Sequence, residues 1–586
     1  MAQVKNDIGA SVQPGGVSFR VWAPFASDVA VSGSFNDWGE TPLKSDQDGY
    51  WSGFVADAQA GQEYKYVIHN GDAVYHRNDP RALHLTTSVG NSVIVDTAFD
   101  WEDDDFHAPP LEEQVIYELH VGTFNRPDSE VGGTFESAAE KLDYLADLGI
   151  NMIELMPIST MLQDRGWGYA IDYIFSVESL YGGRHGFVEF VKAAHARGIG
   201  IILDVVYNHF GPDTNMDLWQ FDGWSENDKG GIYFYNDWRA ETPWGSTRPD
   251  FGRPEVRQYI LDNVRMWLED CHVDGLRIDS TIFIRNVKGQ NDDPANDLPD
   301  GWRLLQEINQ TAEKTKPGAM TIAEDVAGND FIGKPVSEGG AGFSAQWELN
   351  FPNVLRTALK SDDAQNIDLA GICEELGRGY NGDTFQRVIF ADSHDSAANG
   401  SARLNEVIAP GGGASVFARK QAIIAAGLLL TVPGIPMLFQ GQEFMEDGAF
   451  NDWEGLDWGK AEQNQLIVEA YRHLIALRKN TAHISGGLQG RNIKLLQQDD
   501  TNKVLVYHRW NEGGPRDDVI VVINFANQRH ETYDMPLPRD GRWSIRFSAW
   551  PAHDSDAAEP EDVTVENGHG SLTVPPSSVL ILSQDD

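Results

Sequence analysis

The sequence predicts an α/β protein in which a (β/α)8 barrel of the TIM type lies between an N-terminal β-sandwich and a C-terminal β-sandwich. Three observations predict this fold: β-rich segments at the start of the chain, apolar strands alternating with amphipathic helices in the middle, and β-rich segments again at the end. We assign residues 1–105 to the first sandwich, 106–486 to the barrel and 487–586 to the C-terminal all-β domain. A chain of 586 residues is long enough for several domains.

Residues 1–100 contain short segments rich in β-branched and aromatic residues, at 17–24, 29–35 and 64–70. Gly, Asn and Asp separate these segments, which is typical of an antiparallel sandwich. An acidic, proline-bearing stretch at 100–110 predicts a linker to the next domain. Exposed tryptophans in this sandwich would suit the apolar faces of sugars, and the candidates are Trp22, Trp38 and Trp51. Up to two of these three fit the core of the sandwich instead.

The middle of the chain alternates between apolar strands and helices. Helical periodicity indicates amphipathic helices at 137–149, 186–198 and 257–271. Strands are predicted at 115–121, 151–158, 199–209, 274–279, 319–326, 387–395 and 436–443. About eight such units predict a closed parallel barrel. An open doubly wound sheet is the structural alternative, but no glycine-rich phosphate loop follows the first strand. The last sandwich is predicted from segments at 504–510, 518–527 and 578–583.

Composition excludes several classes of partner. The chain has 45 basic and 89 acidic residues, a net charge of −44, so it repels nucleic acid and anionic membranes. Two cysteines provide neither a disulfide framework nor a zinc site. The first residues lack the apolar core of a signal peptide, and no run of 18 apolar residues occurs. We therefore expect a cytoplasmic protein; its oligomeric state is not predicted.

Carboxylates follow the predicted barrel strands at the points where the apolar runs end. They are Asp204, Asp279, Glu324 and Asp395. Because the carboxyl ends of parallel barrel strands share one face, residues so far apart in sequence should converge there. Two convergent carboxylates suit retaining cleavage of a glycosidic bond, in which one attacks the sugar and the other donates a proton. Burial and neighbouring negative charge should keep the proton donor protonated.

A magnesium site is the alternative for carboxylates at a barrel mouth. Aromatic residues near these strand ends favour a sugar instead, because aromatic faces pack on sugar rings. They are Trp167, Tyr169 and Tyr207.

Four segments resemble the ordered sequence regions of the α-amylase family, glycoside hydrolase family 13. They are DVVYNH at 204–209, DGLRIDS at 274–280, AED at 323–325 and ADSHD at 391–395. The resemblance covers the whole chain, because the first domain resembles the starch-binding sandwich of branching, debranching and trehalohydrolase enzymes. It implies that Asp279 is the nucleophile, that Glu324 is the general acid and base, and that Asp395 assists catalysis.

The same resemblance implies the residues that bind the substrate. Arg277 would hold Asp279 ionised. His394, together with Asp395, would bind sugar hydroxyls, and His209 would hydrogen-bond to the sugar at the cleavage site. Asp204 would support the catalytic group from behind. Tyr169 would stack on that sugar, and Trp167 belongs to the same GWGY segment at 166–169.

No cofactor is required by this chemistry. Asn208 resembles a position that binds calcium in many amylases, but no other part of such a site is identifiable in the sequence. We therefore assign no metal ligand. His120 lies within the first predicted barrel strand, and we expect it to have a structural role.

The expected substrate is an α-1,4-glucan of the starch or glycogen type. Amylase-type hydrolysis is the first interpretation, since the Asn-His pair of DVVYNH is usual in hydrolases and unusual in branching enzymes. Transfer of the cleaved chain to a 6-hydroxyl by a 1,4-α-glucan branching enzyme is the alternative, and a malto-oligosyltrehalose trehalohydrolase is the third. A non-catalytic glucan-binding barrel is disfavoured because Asp279, Glu324 and Asp395 are all present.

Overall fold

Nine strands form the N-terminal domain as two antiparallel sheets, in the orders β1-β2-β6-β5 and β4-β3-β7-β8, with β9 paired to β7. The computed structural model describes residues 8–102, 104–127, 132–162, 166–211, 216–360, 367–411, 415–548 and 560–586. The strands are β1 (Gly9–Gln13), β2 (Gly16–Trp22), β3 (Asp28–Gly33), β4 (Thr41–Pro42), β5 (Lys44–Ser45), β6 (Tyr50–Ala56), β7 (Glu63–Asn70), β8 (Ala73–Arg77) and β9 (Ser92–Val93).

Side-chain alternation explains why this domain folds as a sandwich. In β2, Val17, Phe19 and Val21 are buried while Ser18 and Arg20 are only partly covered, so one face of the strand packs inward. The alternation and the paired sheets confirm the predicted N-terminal β-sandwich.

Two of the three candidate tryptophans are core residues, which is within the prediction that up to two of them belong to the core. Trp22 is 6% exposed and packs edge-on against Tyr233 of the barrel domain. Trp51 is 9% exposed and donates its indole N–H to the carbonyl of Ala23. Trp51 pairs with Val21 and shares its inward face, whereas Trp22 lies on the opposite face of β2 and is covered by the barrel domain. Trp38, in a turn with positive φ, is 46% exposed.

Eight parallel strands close into a barrel, which confirms the predicted fold class. They are β10 (Ile116–Leu119), β11 (Met152–Leu155), β14 (Gly200–Val205), β15 (Gly275–Ile278), β16 (Met320–Ala323), β17 (Ala345–Trp347), β18 (Arg387–Phe390) and β19 (Ile435–Phe439). A two-stranded antiparallel insertion, β12 (Ser159–Met161) and β13 (Ile171–Val177), follows the second barrel strand.

Fourteen α-helices lie in the described residues of the barrel region. They are α1 (Val121–Phe124), α2 (Phe135–Ala139), α3 (Leu142–Leu148), α4 (Gly183–His195), α5 (Pro254–Arg265), α6 (Thr281–Arg285), α7 (Pro299–Thr315), α8 (Asp330–Gly333), α9 (Asn350–Leu359), α10 (Leu369–Leu376), α11 (Leu404–Ile408), α12 (Val416–Thr431), α13 (Gly459–Gln463) and α14 (Gln465–Arg478). A π-helical turn, Met266–Asp270, extends α5.

The structure differs from the predicted elements at two places in the barrel. The strand β17 has only three residues, too few for a periodic signal, and was not predicted. The helix predicted at 137–149 is two shorter helices, α2 and α3, because the chain leaves helical geometry near Lys141.

The C-terminal domain is an antiparallel structure with a six-stranded sheet, β20-β21-β22-β27-β24-β25, and a β23-β26 pair. Its strands are β20 (Asn492–Asp499), β21 (Val504–Trp510), β22 (Val519–Asn524), β23 (His530–Pro536), β24 (Gly541–Ser548), β25 (Val563–Val565), β26 (His569–Val574) and β27 (Ser578–Ser583). This confirms the predicted all-β domain. The boundaries near residues 105 and 486 remain our proposal.

The outer domains are anchored to the barrel region by buried polar contacts. Arg77 of the N-terminal domain donates hydrogen bonds to the carbonyls of Trp219, Gln220 and Phe221. Arg509 of the C-terminal domain is fully buried and donates to the carbonyl of Thr431 at the end of α12. In the described part of the chain no helix is both long enough and apolar enough to cross a membrane.

Candidate active site

The barrel interior changes from apolar to charged toward the carboxyl ends of its strands. Ile116, Met152 and Ile202 belong to an apolar layer that also includes residues from four other barrel strands. Because side chains alternate along a strand, the residues two positions later on the same strands also point inward. These are Glu118, Glu154 and Asp204, which are 1%, 1% and 3% exposed. The charged layer therefore lies directly on the apolar one, at the face where barrel enzymes bind substrate.

Arg277 is the centre of this layer and is fully buried. Its Nη1 lies 2.7 Å from Asp204 Oδ2 and 3.0 Å from Asp279 Oδ1, and its Nη2 lies 3.0 Å from Glu324 Oε2. The guanidinium also lies over the ring of Trp347, 4.3 Å from its centroid. A single planar cation thus bridges the two carboxylates that the sequence predicted as nucleophile and acid.

Asp279 is held by donors on both of its carboxylate oxygens. Oδ1 accepts from Arg277, and Oδ2 accepts from Asn208 Nδ2 over 2.6 Å. Burial and the neighbouring Glu324 raise the pKa of Asp279 well above its ordinary value, while Arg277 and Asn208 act in the opposite direction. The resemblance to the α-amylase family implied that Arg277 would hold Asp279 ionised. In the structure Arg277 contacts three carboxylates, so only part of its positive charge offsets the negative charge of Asp279.

Glu324 follows β16 and is 6% exposed. Its Oε2 accepts the backbone N–H of Ser280 over 2.8 Å and contacts the Ser280 hydroxyl at 3.3 Å. Within the described residues, Glu324 Oε1 has no hydrogen-bond partner, whereas both Asp279 oxygens have one.

Asp325, the residue next to Glu324, is not available for proton transfer. It is 1% exposed and accepts two hydrogen bonds from Arg285, at 2.7 and 2.8 Å. Its charge is already paired, so it is a poor alternative to Glu324.

Tyr169 links two of the predicted binding residues. Its hydroxyl donates to Asp204 Oδ2 over 2.6 Å and lies 2.9 Å from Nε2 of His394. Its ring stacks on His394 with the centroids 5.2 Å apart. The preceding Gly168 has a φ of 95°, and a Cβ there would lie 2.3 Å from the carbonyl of Pro157. Only glycine therefore fits the close turn that presents Tyr169.

Trp167 and Asp395 complete this side of the site. Trp167 packs edge-on against His394 at 5.8 Å, and its ring is tilted by 30° against Phe450 at 5.4 Å. The Asp395 side chain is 47% exposed, with Oδ1 3.5 Å from His394 Nε2. Asp395 is thus much more accessible than Asp279 or Glu324, as expected of a group that contacts sugar hydroxyls.

His209 is more enclosed than the sequence suggested. It is 2% exposed and lies under Trp244, whose ring stacks on it at 4.6 Å. Burial and the nearby Arg248 lower the pKa of His209 to about 3, so the ring is neutral. Trp244 is 38% exposed and offers an aromatic surface beside the catalytic pair.

The surroundings of Asn208 do not fit a calcium ion. Its amide nitrogen donates to Asp279, and its amide oxygen is paired with His209 Nδ1 at 2.6 Å. Across the residues that the structure describes, no group of three or more His, Cys, Asp or Glu side chains is placed to hold a metal. The amide of Asn208 positions the carboxylate instead.

The structure therefore brings all nine predicted site residues together, and four further residues that sequence reasoning missed lie beside them. The predicted residues that meet are Trp167, Tyr169, Asp204, Arg277, Asp279, Glu324, His394 and Asp395, with His209 at the edge. The missed residues are Glu118, Glu154, Trp244 and Trp347. A signal existed for the first two, since an acidic residue interrupts the apolar runs IYEL and MIEL. The predicted structural role of His120 agrees with its contacts to Thr123, Gly166 and Tyr181.

A closed parallel barrel with an arginine-bridged carboxylate pair and aromatic walls at its mouth defines a carbohydrate-active enzyme. Comparison with known families agrees along almost the whole chain. Residues 118–472 match the α-amylase catalytic domain, residues 7–82 match carbohydrate-binding module 48 (the isoamylase N-terminal domain), and residues 496–585 match the α-amylase C-terminal all-β domain. The chain belongs to the α-amylase family and is an α-glucan-active enzyme.

Individual relatives match this chain over at least nine tenths of its length. The chain is 30% identical over 568 residues to a protein of Corynebacterium jeikeium named 1,4-alpha-glucan branching enzyme GlgB, covering 92% of this chain and 76% of that protein. It is 31% identical over 565 residues to the GlgB of Mesorhizobium japonicum, covering 90% of this chain and 73% of that protein.

Solved structures share the same fold. The pullulanase of Paenibacillus barengoltzii superposes with a TM-score of 0.76 at 22% identity, covering 99% of this chain and 95% of that one. A pullulanase of Anoxybacillus superposes with a TM-score of 0.75 at 21% identity, covering all of this chain and 88% of that one. At this identity the likeness concerns the fold alone.

Proposed function

We propose that this protein is a 1,4-α-glucan branching enzyme that transfers a cleaved α-1,4-glucan chain to a 6-hydroxyl with retention of configuration. The observation that carries the proposal is its similarity to branching enzymes over at least nine tenths of the chain, through all three domains. This favours branching over the hydrolysis suggested by the DVVYNH segment. Retention follows from two displacements at the same carbon.

In the first step the carboxylate of Asp279 attacks the anomeric carbon and the bond from that carbon to the leaving O4 breaks. Glu324 gives its proton to that oxygen. The hydrogen bonds from Arg277 and Asn208 orient Asp279 for this attack and favour its anion.

In the second step Glu324, now a carboxylate, removes the proton of an acceptor 6-hydroxyl. The acceptor oxygen attacks the anomeric carbon and Asp279 leaves. Asp395 binds sugar hydroxyls in both steps, and its interaction is stronger in the distorted ring of the transition state. His394 is 2% exposed and lies behind Asp395, with Nε2 on the Tyr169 hydroxyl and Nδ1 on Glu118. Tyr169, Trp167 and Trp244 provide the aromatic walls of the sugar site.

Amylase-type hydrolysis is the second candidate, and a specific contact favours it. The Asn-His pair, usual in hydrolases, is here built into the nucleophile site, with Asn208 bonded to both Asp279 and His209. Water and a sugar hydroxyl compete for the same glycosyl-enzyme, so the two reactions differ only in the acceptor. Release of trehalose from malto-oligosyltrehalose would be the third outcome.

The deciding experiment is incubation with amylose, following iodine colour, reducing ends and α-1,6 anomeric protons by NMR together. Branching predicts loss of colour and new α-1,6 signals with few new reducing ends. Reducing ends that rise in step with the loss of colour, without α-1,6 signals, would instead establish hydrolysis. The matched control is Asp279→Asn, which should produce no change in any of the three signals.

A further inference from the structure

Two carboxylates lie side by side in the barrel interior, close to the charged network around Arg277. Glu118 on β10 and Glu154 on β11 are register partners, and each is about 1% exposed. Adjacent buried carboxylates cannot both carry a charge unless each has a cation or strong donors. The two side chains have different hydrogen-bond partners, and this difference indicates which of them holds a proton.

Glu118 contacts His394 through both of its carboxylate oxygens. Oε1 of Glu118 lies 2.5 Å from the ring Nδ1 of His394, and Oε2 accepts the backbone N–H of His394 over 3.1 Å. One carboxylate thus fixes both the ring orientation and the backbone of a predicted substrate-binding residue.

Glu154 has no comparable partner. Its Oε2 is buried without a hydrogen bond in the described part of the protein. Burial and the neighbouring Glu118 raise the pKa of Glu154 well above its ordinary value. Glu154 is therefore the member of the pair that holds a proton, whereas both oxygens of Glu118 are paired with nitrogens of His394.

Hydrogen-bond direction defines the state of His394. The Tyr169 hydroxyl donates its only proton to Asp204, so it accepts from Nε2 of His394. A carboxylate can only accept, so Nδ1 of His394 donates to Glu118. Both ring nitrogens carry protons, which makes the ring an imidazolium.

We propose that Glu118 is a positioning residue for the transfer reaction, holding His394 as an imidazolium whose Nε2–H orients Tyr169, while Glu154 beside it stays protonated. The link to catalysis rests on the proposed function. From Tyr169 the chain of contacts continues through Asp204 to Arg277 and so to Asp279. Glu118 thereby acts on the reacting groups without touching the substrate.

The groups around His394 agree with this state. Burial alone lowers the pKa of His394, but Glu118 and Asp395 outweigh it and raise the pKa to about 9. Arg277 opposes protonation from β15, and Asp204 and Glu154 are the other acids that act on the same network. His120 is neutral, because burial lowers its pKa to about 4. The remaining neighbours are the rings of Trp167, Tyr169 and Trp347.

The test compares Glu118→Gln with Glu154→Gln. In ¹⁵N-histidine-labelled protein, with the His394 signals assigned from His394→Asn, wild-type His394 should remain protonated well above neutral pH. Glu118→Gln removes the countercharge, so the His394 pKa should fall by about one unit or more. The alkaline limb of kcat/KM for branching should move to lower pH by a similar amount. Glu154→Gln replaces a neutral carboxyl by a neutral amide, and both readouts should match the wild type.

The proposal is overturned if Glu118→Gln lowers kcat uniformly without moving either titration, since that is a purely structural effect. It is also overturned if Glu154→Gln moves the His394 titration, because Glu154 would then carry the charge. If Glu118→Gln does not fold, the titration of His394 in the wild type and in Glu154→Gln still tests the proposal. A wild-type His394 that titrates near the ordinary pKa of histidine contradicts it. The NMR titration needs no substrate, so failure of the branching assay alone would refute the proposed function and leave this inference standing.

Discussion

The backbone N–H of Ser280 donates to Oε2 of Glu324 over 2.8 Å, from a residue in the left-handed conformation with φ 41° and ψ 52°. Ser280 directly follows Asp279, so the turn that ends the nucleophile strand also supports the proposed acid. Left-handed geometry is costly for side chains other than glycine, and most of all for β-branched ones. Strain of this kind is often retained where it positions a reacting group.

We therefore predict opposite results for two substitutions of Ser280. Ser280→Gly accepts the conformation and should keep activity within a few-fold of the wild type. Ser280→Val should displace the N–H from Glu324 and lower kcat by about tenfold or more, which corresponds to about 1.4 kcal/mol. Steady-state kinetics and thermal unfolding measure both effects. Equal activity of the two variants would show that this contact does not matter.

Glu324→Gln should be slow on amylose but nearly normal in the first step with an α-glucosyl fluoride. Fluoride leaves without a proton, so the missing acid is not needed for that step. The control is Asp279→Asn, which should be inactive on both donors. Equal slowing of Glu324→Gln on both substrates would exclude it as the acid, and the pairing of Asp325 with Arg285 would then require another source for the proton.

Asp172 should make the protein less stable as the pH rises. It is 4% exposed, its Oδ1 has no hydrogen-bond partner among the described residues, and burial together with Asp217 raises its pKa from 3.8 to about 8. The folded state thus binds this proton more tightly than the unfolded state, so stability is fully present below about pH 4 and is lost as the pH rises toward about 8.

Asp172→Asn should remove that loss. We expect the substitution to raise the unfolding temperature more at pH 8 than at pH 5. At pH 8 the gain in unfolding free energy should be about 1–3 kcal/mol. The matched control is Asp217→Asn, which should destabilise the fold because Asp217 accepts hydrogen bonds from Asn78 and Tyr173. A midpoint difference independent of pH would contradict the assignment.

Trp38→Ala should weaken retention of the whole protein on immobilised amylose while leaving activity on short donors unchanged. Trp38 is exposed in the N-terminal domain and is available to stack on a sugar. Trp51→Ala is the matched control: since Trp51 is a core residue, its loss should lower the unfolding temperature instead. Unchanged retention of Trp38→Ala would remove this residue from any glucan surface.

Periodicity and strand-end chemistry predicted the barrel and the convergence of carboxylates at its mouth, because a parallel barrel brings distant strand ends together whatever the loop lengths. The three-residue strand β17 gave no periodic signal, so Trp347, which packs on Arg277, was missed. The sequence did not separate Trp38 from the core residues Trp22 and Trp51, because a single residue type does not reveal which face of a strand is buried. Glu118 and Glu154 were visible as acids inside apolar strands, but their unequal states depend on His394, which is 276 residues from Glu118.

The sharing of Arg277 among three carboxylates could not be predicted either, because it depends on side-chain geometry between β14, β15 and β16. The resemblance to the α-amylase family implied one partner for Arg277, the carboxylate of Asp279. The cross-strand register that places Asp204 beside Arg277 appears only in the folded barrel.

The central claim is that Asp279 forms a covalent glycosyl-enzyme which Glu324 then helps to resolve. The most direct measurement is mass spectrometry of Glu324→Gln after incubation with an α-maltosyl fluoride, since the fluoride forms the intermediate and the missing base slows its breakdown. We predict that a maltosyl adduct accumulates on the peptide containing Asp279 and is absent in Asp279→Asn. An adduct on a different carboxylate, or fluoride release without any adduct and with inversion of configuration, would contradict the account.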